Sequence, residues 1–276
     1  MNKLFDELPQ TIQEDEYLDK SGLLMCKRCN SARQKKLEFG DRKLKVRCLC
    51  QCQQSQRDAA AGAMRRQEFQ DKVSRNRSVG LAEPALRKCT FENDKGYNPE
   101  ISKARKYVVN WEEMLASAAG LLFWGNVGTG KTYIAACIAN ALIDRGVQVM
   151  MTNFSRVLSD LPGMFSGDRN RYIDSFNRYP LLIIDDLGVE RGSEFALEQV
   201  FNIIDSRYRA KLPLIVTTNL TLQELKNPDS LAKARIYDRV LERCVPIRIN
   251  NRNIRQENAR ENLKRAKELL GNAREK

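Results

Sequence analysis

An α/β domain preceded by a small cysteine-rich module is the architecture this sequence predicts, and three observations predict it. Gly125-Asn126-Val127-Gly128-Thr129-Gly130-Lys131-Thr132 spells G-x-x-x-x-G-K-T, the phosphate-cradling P-loop pattern. Leu181-Leu182-Ile183-Ile184-Asp185-Asp186 is a fully apolar run ending in two carboxylates. Cys26 and Cys29 stand as C-x-x-C, and Cys48, Cys50 and Cys52 follow after about eighteen residues, a metal-ligand spacing.

Composition narrows what such a chain can do. At 276 residues it has room for one substantial core plus a small module. A net charge of +12 and a pI near 9.4 put a polyanionic partner high among the candidates. There is no histidine, which removes Ser-His-Asp and Cys-His catalysis, His-ligated metals and His pH switches together. Any general base must be a carboxylate. No apolar run approaches the roughly 20 residues that span a bilayer, and the start of the chain has no signal-peptide core, so a cytoplasmic protein without membrane attachment is expected. In a reducing compartment the eight cysteines are expected to serve metal binding or core filling rather than disulfides.

In chain order, residues 1–20 are acidic, with Asp6, Glu7, Glu14, Asp15, Glu16 and Asp19 among scattered apolar residues. Residues 21–52 reverse the sign and read as a basic zinc ribbon, with Gly40-Asp41 as the turn of its hairpin. Five thiols compete for four places: Cys26, Cys29 and Cys48 are the first three ligands, with Cys50 or Cys52 the fourth. So short and polar a segment cannot fold by burial alone, and Zn²⁺ would supply the missing cross-link. Residues 53–80 lack proline and read as a solvated helical linker, with a break from Ser78 to Pro84. Asn98-Pro99 then reads as a helix cap followed by a proline at the first helical position, and the helix is expected to reach about Leu115.

The P-loop sits in the strand-loop-helix context it requires. Leu121 to Trp124 is a short buried strand, and Tyr133, Ile134, Cys137, Ile138, Ala141 and Leu142 recur at helical spacing until Gly146. The glycines let successive N–H groups and the positive helix end face a polyphosphate. Lys131 would reach the β- and γ-phosphates, and the Thr132 hydroxyl would bind Mg²⁺. At the end of the Leu181 strand, Asp185 would share that Mg²⁺, and Asp186 is placed to orient or deprotonate the attacking water.

Between them, Phe154 to Tyr179 mixes helix signals with Pro162, Gly163 and Gly167. It carries Arg156, Arg169, Arg171 and Arg178 among aromatic residues, either a single-stranded nucleic acid surface or the wet side of two amphipathic helices. Ser193 is expected to cap a helix with Phe195, Val200, Ile203 and Ile204 on its apolar face. Pro213 to Asn219 is a further buried strand whose polar tip, Asn219, is a sensor candidate for the γ-phosphate, followed by a Thr221-x-x-Glu224 capping box. Arg235, Arg239 and Arg243 lie four residues apart on one helix face, which either meets solvent or reaches a neighbouring subunit's nucleotide. A last strand near Val245 to Ile249 and a basic C-terminal helix over 251–276 close the chain.

From Cys89 through Arg255 the sequence resembles the DnaC-type bacterial replicative helicase loaders, AAA+ ATPases related to the DnaA initiator. The stretches that carry the resemblance are Cys89 to Asn93, Ser102 to Tyr107, Gly125 to Thr132, Leu182 to Gly188, Thr217 to Asn219 and Arg235 to Arg239. The cysteine ribbon is similar to that of loaders in Gram-positive bacteria and their phages. The resemblance implies an AAA+ P-loop domain over 81–250 with a parallel five-stranded sheet, ATP as the nucleotide, hydrolysis, and self-association with the nucleotide shared between protomers. It implies Arg239 as an arginine finger with Arg235 in reserve, and matches Arg255 loosely to a second sensor arginine. It further implies a hexameric replicative DNA helicase docked on the ribbon and single-stranded DNA gripped by the ATPase domain. The IstB-like transposition helpers are the alternative, although they generally lack a cysteine ribbon. A small-molecule phosphotransferase fits the basic, sensor-bearing C-terminal part poorly, and the shorter carboxylate at Asp186 leaves open an ATP-binding adaptor with little turnover.

Overall fold

The computed structural model describes residues 12–39, 42–188, 194–251 and 253–270. The acidic residues 1–11, the Gly40-Asp41 turn, the Ser193 cap and residues 271–276 lie outside the described residues. The chain divides into two compact units, residues 1–70 and 71–276.

The first unit has almost no apolar core. Among its described residues only Leu24, Cys26 and Cys50 are buried apolar side chains. Strands β1 (Glu16–Leu18) and β2 (Leu24–Cys26) pair antiparallel, joined by a turn in which Asp19 Oδ1 accepts from the Ser21 and Leu23 N–H groups at 2.9 and 2.8 Å. Strands β3 (Gln34–Phe39) and β4 (Arg42–Arg47) form a hairpin with Leu37 opposite Leu44. Charge substitutes for burial here. The buried Arg33 guanidinium donates to Glu16 Oε1 and Asp15 Oδ1, both at 3.0 Å, and Arg47 donates to the other Glu16 oxygen at 3.2 Å. Helix α1 (Gln51–Gly80) then runs for 30 residues, almost wholly solvated, as its lack of an apolar stripe requires. It continues through Ser78 and stops at Gly80, two residues into the expected break. There a Cβ would stand 1.9 Å from the Val149 carbonyl oxygen, so only glycine fits.

The second unit is a parallel sheet covered on both faces. After α2 (Ile101–Val109) and α3 (Trp111–Ala116) come β5 (Gly120–Trp124), α4 (Lys131–Asp144), β6 (Val149–Asn153), α5 (Phe154–Asp160), α6 (Ser166–Ser175) and β7 (Leu181–Leu187). They are followed by α7 (Glu194–Arg209), β8 (Leu214–Thr218), α8 (Leu222–Lys226), α9 (Leu231–Arg243), β9 (Cys244–Arg248) and α10 (Ile254–Leu269). The five strands lie in the order β6-β7-β8-β5-β9, all parallel, as the AAA+ resemblance implies. Strand periodicity sorts the core. Leu121, Phe123, Ile183 and Ile215 pack with α2, α3 and α4 on one face, while Leu122, Leu182, Ile184 and Val216 pack with α5, α7 and α9 on the other.

Several local expectations change in the folded chain. Asn98 does not cap α2 with its side chain; its amide is drawn to the P-loop, leaving the α2 start without a side-chain cap. The helix expected to reach Leu115 is interrupted at Asn110, giving α2 and α3. Phe195 is 42% exposed, and Ala196 takes its place beside Val200, Ile203 and Ile204 on the buried face of α7. In the 154–179 stretch Phe154 and Phe176 are buried in the core and only Phe165 stands fully out, so most of the stacking surfaces counted there serve packing. The Thr221 capping box forms in full.

Candidate nucleotide site and four-cysteine cluster

The carboxyl ends of β5, β8 and β7, neighbours in the sheet, bring the P-loop, Asn219 and the Asp185-Asp186 pair together. Gly125, Gly128 and Gly130 all take positive φ, at 143°, 79° and 99°. The loop also has no room for side chains: a Cβ on Gly125 would lie 2.3 Å from the Ile249 carbonyl oxygen, and one on Gly128 2.1 Å from Asn253 Oδ1. Asn98 Nδ2 braces the same loop through the Thr129 carbonyl at 3.1 Å, while the Thr129 hydroxyl donates to the Asn126 carbonyl at 2.8 Å.

Lys131, 5% exposed, opens α4 and donates its ammonium to the Gly125 and Asn126 carbonyls at 2.9 and 2.8 Å and to Asn219 Oδ1 at 2.7 Å. All three acceptors are neutral oxygens, so burial pushes its pKa below the ordinary lysine value and its charge is available to an anion. Thr132 Oγ1 lies 3.0 Å from both Asp185 oxygens, and Thr217 Oγ1 donates to Asp185 Oδ1 at 2.5 Å. Burial pushes the Asp185 carboxyl up against these two hydroxyls, which lower it. A hydroxyl facing a partly buried carboxylate at the foot of a phosphate loop is the donor set that Mg²⁺ takes.

Asp186 sits one step further out, at a register shift between β7 and β8, with φ of 59°. The Thr217 hydroxyl accepts its N–H at 2.9 Å and holds that turn, so Asp185 and Asp186 face different surroundings. A cavity of about 640 Å³ is lined by Val127, Gly128, Gly130, Lys131 and Thr132 of the P-loop region, by Asp186 and Asn219, by Asn93, Tyr97 and Asn98, and by Ile254, Arg255 and Ala259 of α10. Its size and lining fit a nucleoside triphosphate. Arg255 therefore stands at the site, whereas Arg235 and Arg239 do not line their own chain's cavity. They lie against α7 instead: Arg235 over the Phe201 ring at 4.6 Å, Arg239 and Arg243 over the Tyr208 ring at 4.1 and 4.5 Å. Sequence reading missed Asn98 as a loop brace, Thr217 as a partner of both aspartates, and Asn253. Only Thr217, adjacent to a strand end already singled out, carried a signal.

In the first unit the thiols of Cys26, Cys29, Cys50 and Cys52 all lie within 4.8 Å of one another. Cys26 and Cys52 are 3.7 Å apart and Cys50 and Cys52 3.2 Å, against about 3.8 Å between thiolates on one tetrahedral zinc. Arg33 Nη2, 3.6 Å from the Cys26 sulfur, supplies positive charge to the group, and the Ser31 hydroxyl beside Cys29 holds that thiol well below its usual range. The donor set fits zinc. Cys48, expected among the first three ligands, is not in the cluster. Its N–H extends the hairpin ladder to the Arg33 carbonyl at 2.7 Å and its thiol faces the Ala32 carbonyl at 3.6 Å, so the strand fixes it elsewhere. Both Cys50 and Cys52, at the start of α1, take part.

Residues 57–262 match the family of IstB-like ATP binding proteins. The chain is 29% identical over 195 residues to the replicative helicase loader DnaC of Escherichia coli K12, covering 68% of this chain and 77% of the relative. It is also 29% identical over 160 residues to DnaC of Buchnera aphidicola subsp. Schizaphis graminum, covering 55% of this chain and 63% of that one. The crystal structure of DnaI is similar with a TM-score of 0.51 and 25% identity, over 62% of this chain and 93% of that chain. The family match takes in the P-loop, both aspartates, Asn219 and the whole α9 arginine stripe, and it begins beyond the cysteine cluster. Fold, site geometry and sequence similarity agree: this chain belongs to the IstB-like ATP-binding protein family.

Proposed function

We propose that this protein is an ATP-driven loader that places a hexameric replicative helicase on single-stranded DNA, with hydrolysis as the release step. The observation that carries the proposal is the pairing of an ATP site of this geometry with a separate four-cysteine module, on a chain similar to DnaC over 77% of that loader's length. In this reading Gly125 to Thr132 cradle the triphosphate, and Lys131 exchanges its three neutral oxygens for phosphate oxygens. Thr132 and Asp185 would hold Mg²⁺, which would supply positive charge against the phosphates. Asp186 orients the attacking water and takes its proton, since no histidine is present to do so. Asn219, in contact with Lys131, reports whether the terminal phosphate is there. Arg239 of a neighbouring copy completes the site. Cys26, Cys29, Cys50 and Cys52 hold the zinc that shapes the module to which the helicase docks.

The test is the mass of the species formed when the protein is mixed with its host's replicative helicase, with and without ATP. A stable complex that loosens on hydrolysis supports the loader. The IstB-like family match favours one other reading, an ATPase that coats duplex DNA for a transposase. Absence of a helicase complex, together with ATP-dependent assemblies on duplex DNA, would establish that reading in its place.

A further inference from the structure

We propose that Tyr208 is the positioning residue for Arg239, holding its guanidinium ready for the nucleotide cavity of a second copy of this chain. The inference rests on the reading above, that ATP is hydrolysed in a self-assembly.

Of the three arginines on the α9 stripe, only Arg239 is held by both a ring and a carboxylate among the described residues. Its guanidinium lies 4.1 Å from the Tyr208 ring centroid, and its Nε is 3.5 Å from Asp205 Oδ1. The terminal Nη1 has only Glu242, 4.0 Å away, at the outer limit of an ion pair. The edge that can grip a phosphate in bidentate fashion is therefore turned away from its strongest internal partner, and the residue is one-third exposed. Tyr208 is itself pinned, because its hydroxyl donates to Glu242 Oε1 at 2.7 Å while Arg243 covers it at 4.5 Å. Arg235 has only the Phe201 ring, and the Nε of Arg243 is buried without a partner. No α9 residue lines the cavity of its own chain, so an anion for Arg239 comes from outside the chain. A long, flexible side chain loses less entropy on meeting a phosphate if its plane and Nε are already fixed, and that is the work of the ring and Asp205.

The test is steady-state ATP turnover as a function of protein concentration for Arg239→Ala, Tyr208→Ala and Tyr208→Phe. Nucleotide affinity and melting temperature are measured beside it. Arg239→Ala should lower kcat by about 10³-fold. Tyr208→Ala should lower kcat by about tenfold, the worth of one cation–π platform, with KM, nucleotide affinity and fold retained. Tyr208→Phe keeps the ring and should keep most of the rate. Mixing Arg239→Ala with Lys131→Ala should restore turnover that neither has alone, because one supplies the cavity and the other the arginine. If Arg239→Ala leaves turnover unchanged, the shared-nucleotide reading itself falls. If Arg239→Ala is inactive while Tyr208→Ala is unimpaired, or if Tyr208→Phe is as poor as Tyr208→Ala, the positioning role is overturned. Loss of oligonucleotide binding with turnover intact in both alanine variants would make the stripe a nucleic-acid surface and also overturn it.

Discussion

Asp185 and Asp186 are chemically identical neighbours that the fold makes unlike. Asp185 is drawn in against two threonine hydroxyls, whereas Asp186, one residue on, is turned out by a left-handed backbone into the nucleotide cavity. Burial raises the pKa of Asp185 above the ordinary carboxylate value, and that has two consequences of opposite sign. Because the folded protein binds this proton more tightly than the unfolded chain does, the contribution of Asp185 to stability is greatest below the unfolded carboxylate pKa. It is lost as pH rises through the raised value. Protonation in the same window removes the charge that a Mg²⁺ held by Asp185 would require. Mg²⁺-dependent nucleotide affinity should therefore fall on acidification at a pH above the usual carboxylate range, and Asp185→Asn should flatten that profile. Titrations of nucleotide with and without Mg²⁺ across this window check both parts. For Asp186 the outcome is different: Asp186→Asn should leave ATP binding intact and lower turnover by about 10²–10⁴-fold, the range for loss of a general base. Unchanged turnover would transfer the proton to another acceptor.

At the scale of elements, how well the sequence could be read depended on whether the signal was periodic or spatial. The strand cores of β5, β7 and β8 were legible because each carries an unbroken apolar run, Leu121 to Trp124, Leu181 to Ile184 and Leu214 to Val216, as a sheet covered on both faces demands. The capping box at Thr221 was legible because its two partners are three residues apart. Asn98 read as a helix cap from its position before a proline, but its partner, the Thr129 carbonyl, lies 31 residues away and no local rule points to it. Cys48 read as a ligand from spacing, whereas the hairpin register decides which thiols meet. The α9 arginines lie against rings because α7 offers Phe201 and Tyr208 two turns apart, a match between two helices that neither reveals alone. Gly80 is the same kind of case, the end of a long polar helix fixed by a backbone carbonyl that approaches from far along the chain. Gly80→Ala should cost about 1–3 kcal/mol, seen as a lower urea midpoint with unchanged slope, because the added Cβ would force Val149 to move.

Across the whole molecule, the two units are held together internally by different physics. Residues 71–276 bury a sheet between two apolar layers. Residues 1–70 have three buried apolar side chains among those described, an arginine enclosed by carboxylates, and four converging thiols. Leu24, at about 1.5–3 kcal/mol, and two small thiol side chains cannot offset the conformational entropy of ordering that unit, so a zinc held by the four thiols would supply its folding energy. Chelation should therefore act on one unit only. Release of about one zinc per chain, read with a colorimetric chelator, should coincide with loss of protease resistance before residue 70. ATP affinity and the melting transition of the remainder should stay within error. Cys50→Ser should reproduce the chelated state, and Cys48→Ser should not, since its thiol faces the Ala32 carbonyl rather than the cluster. Zinc loss in Cys48→Ser equal to that in Cys50→Ser would put the fifth thiol back among the ligands. Loss of ATP binding on chelation would mean that the second unit depends on the first for its fold.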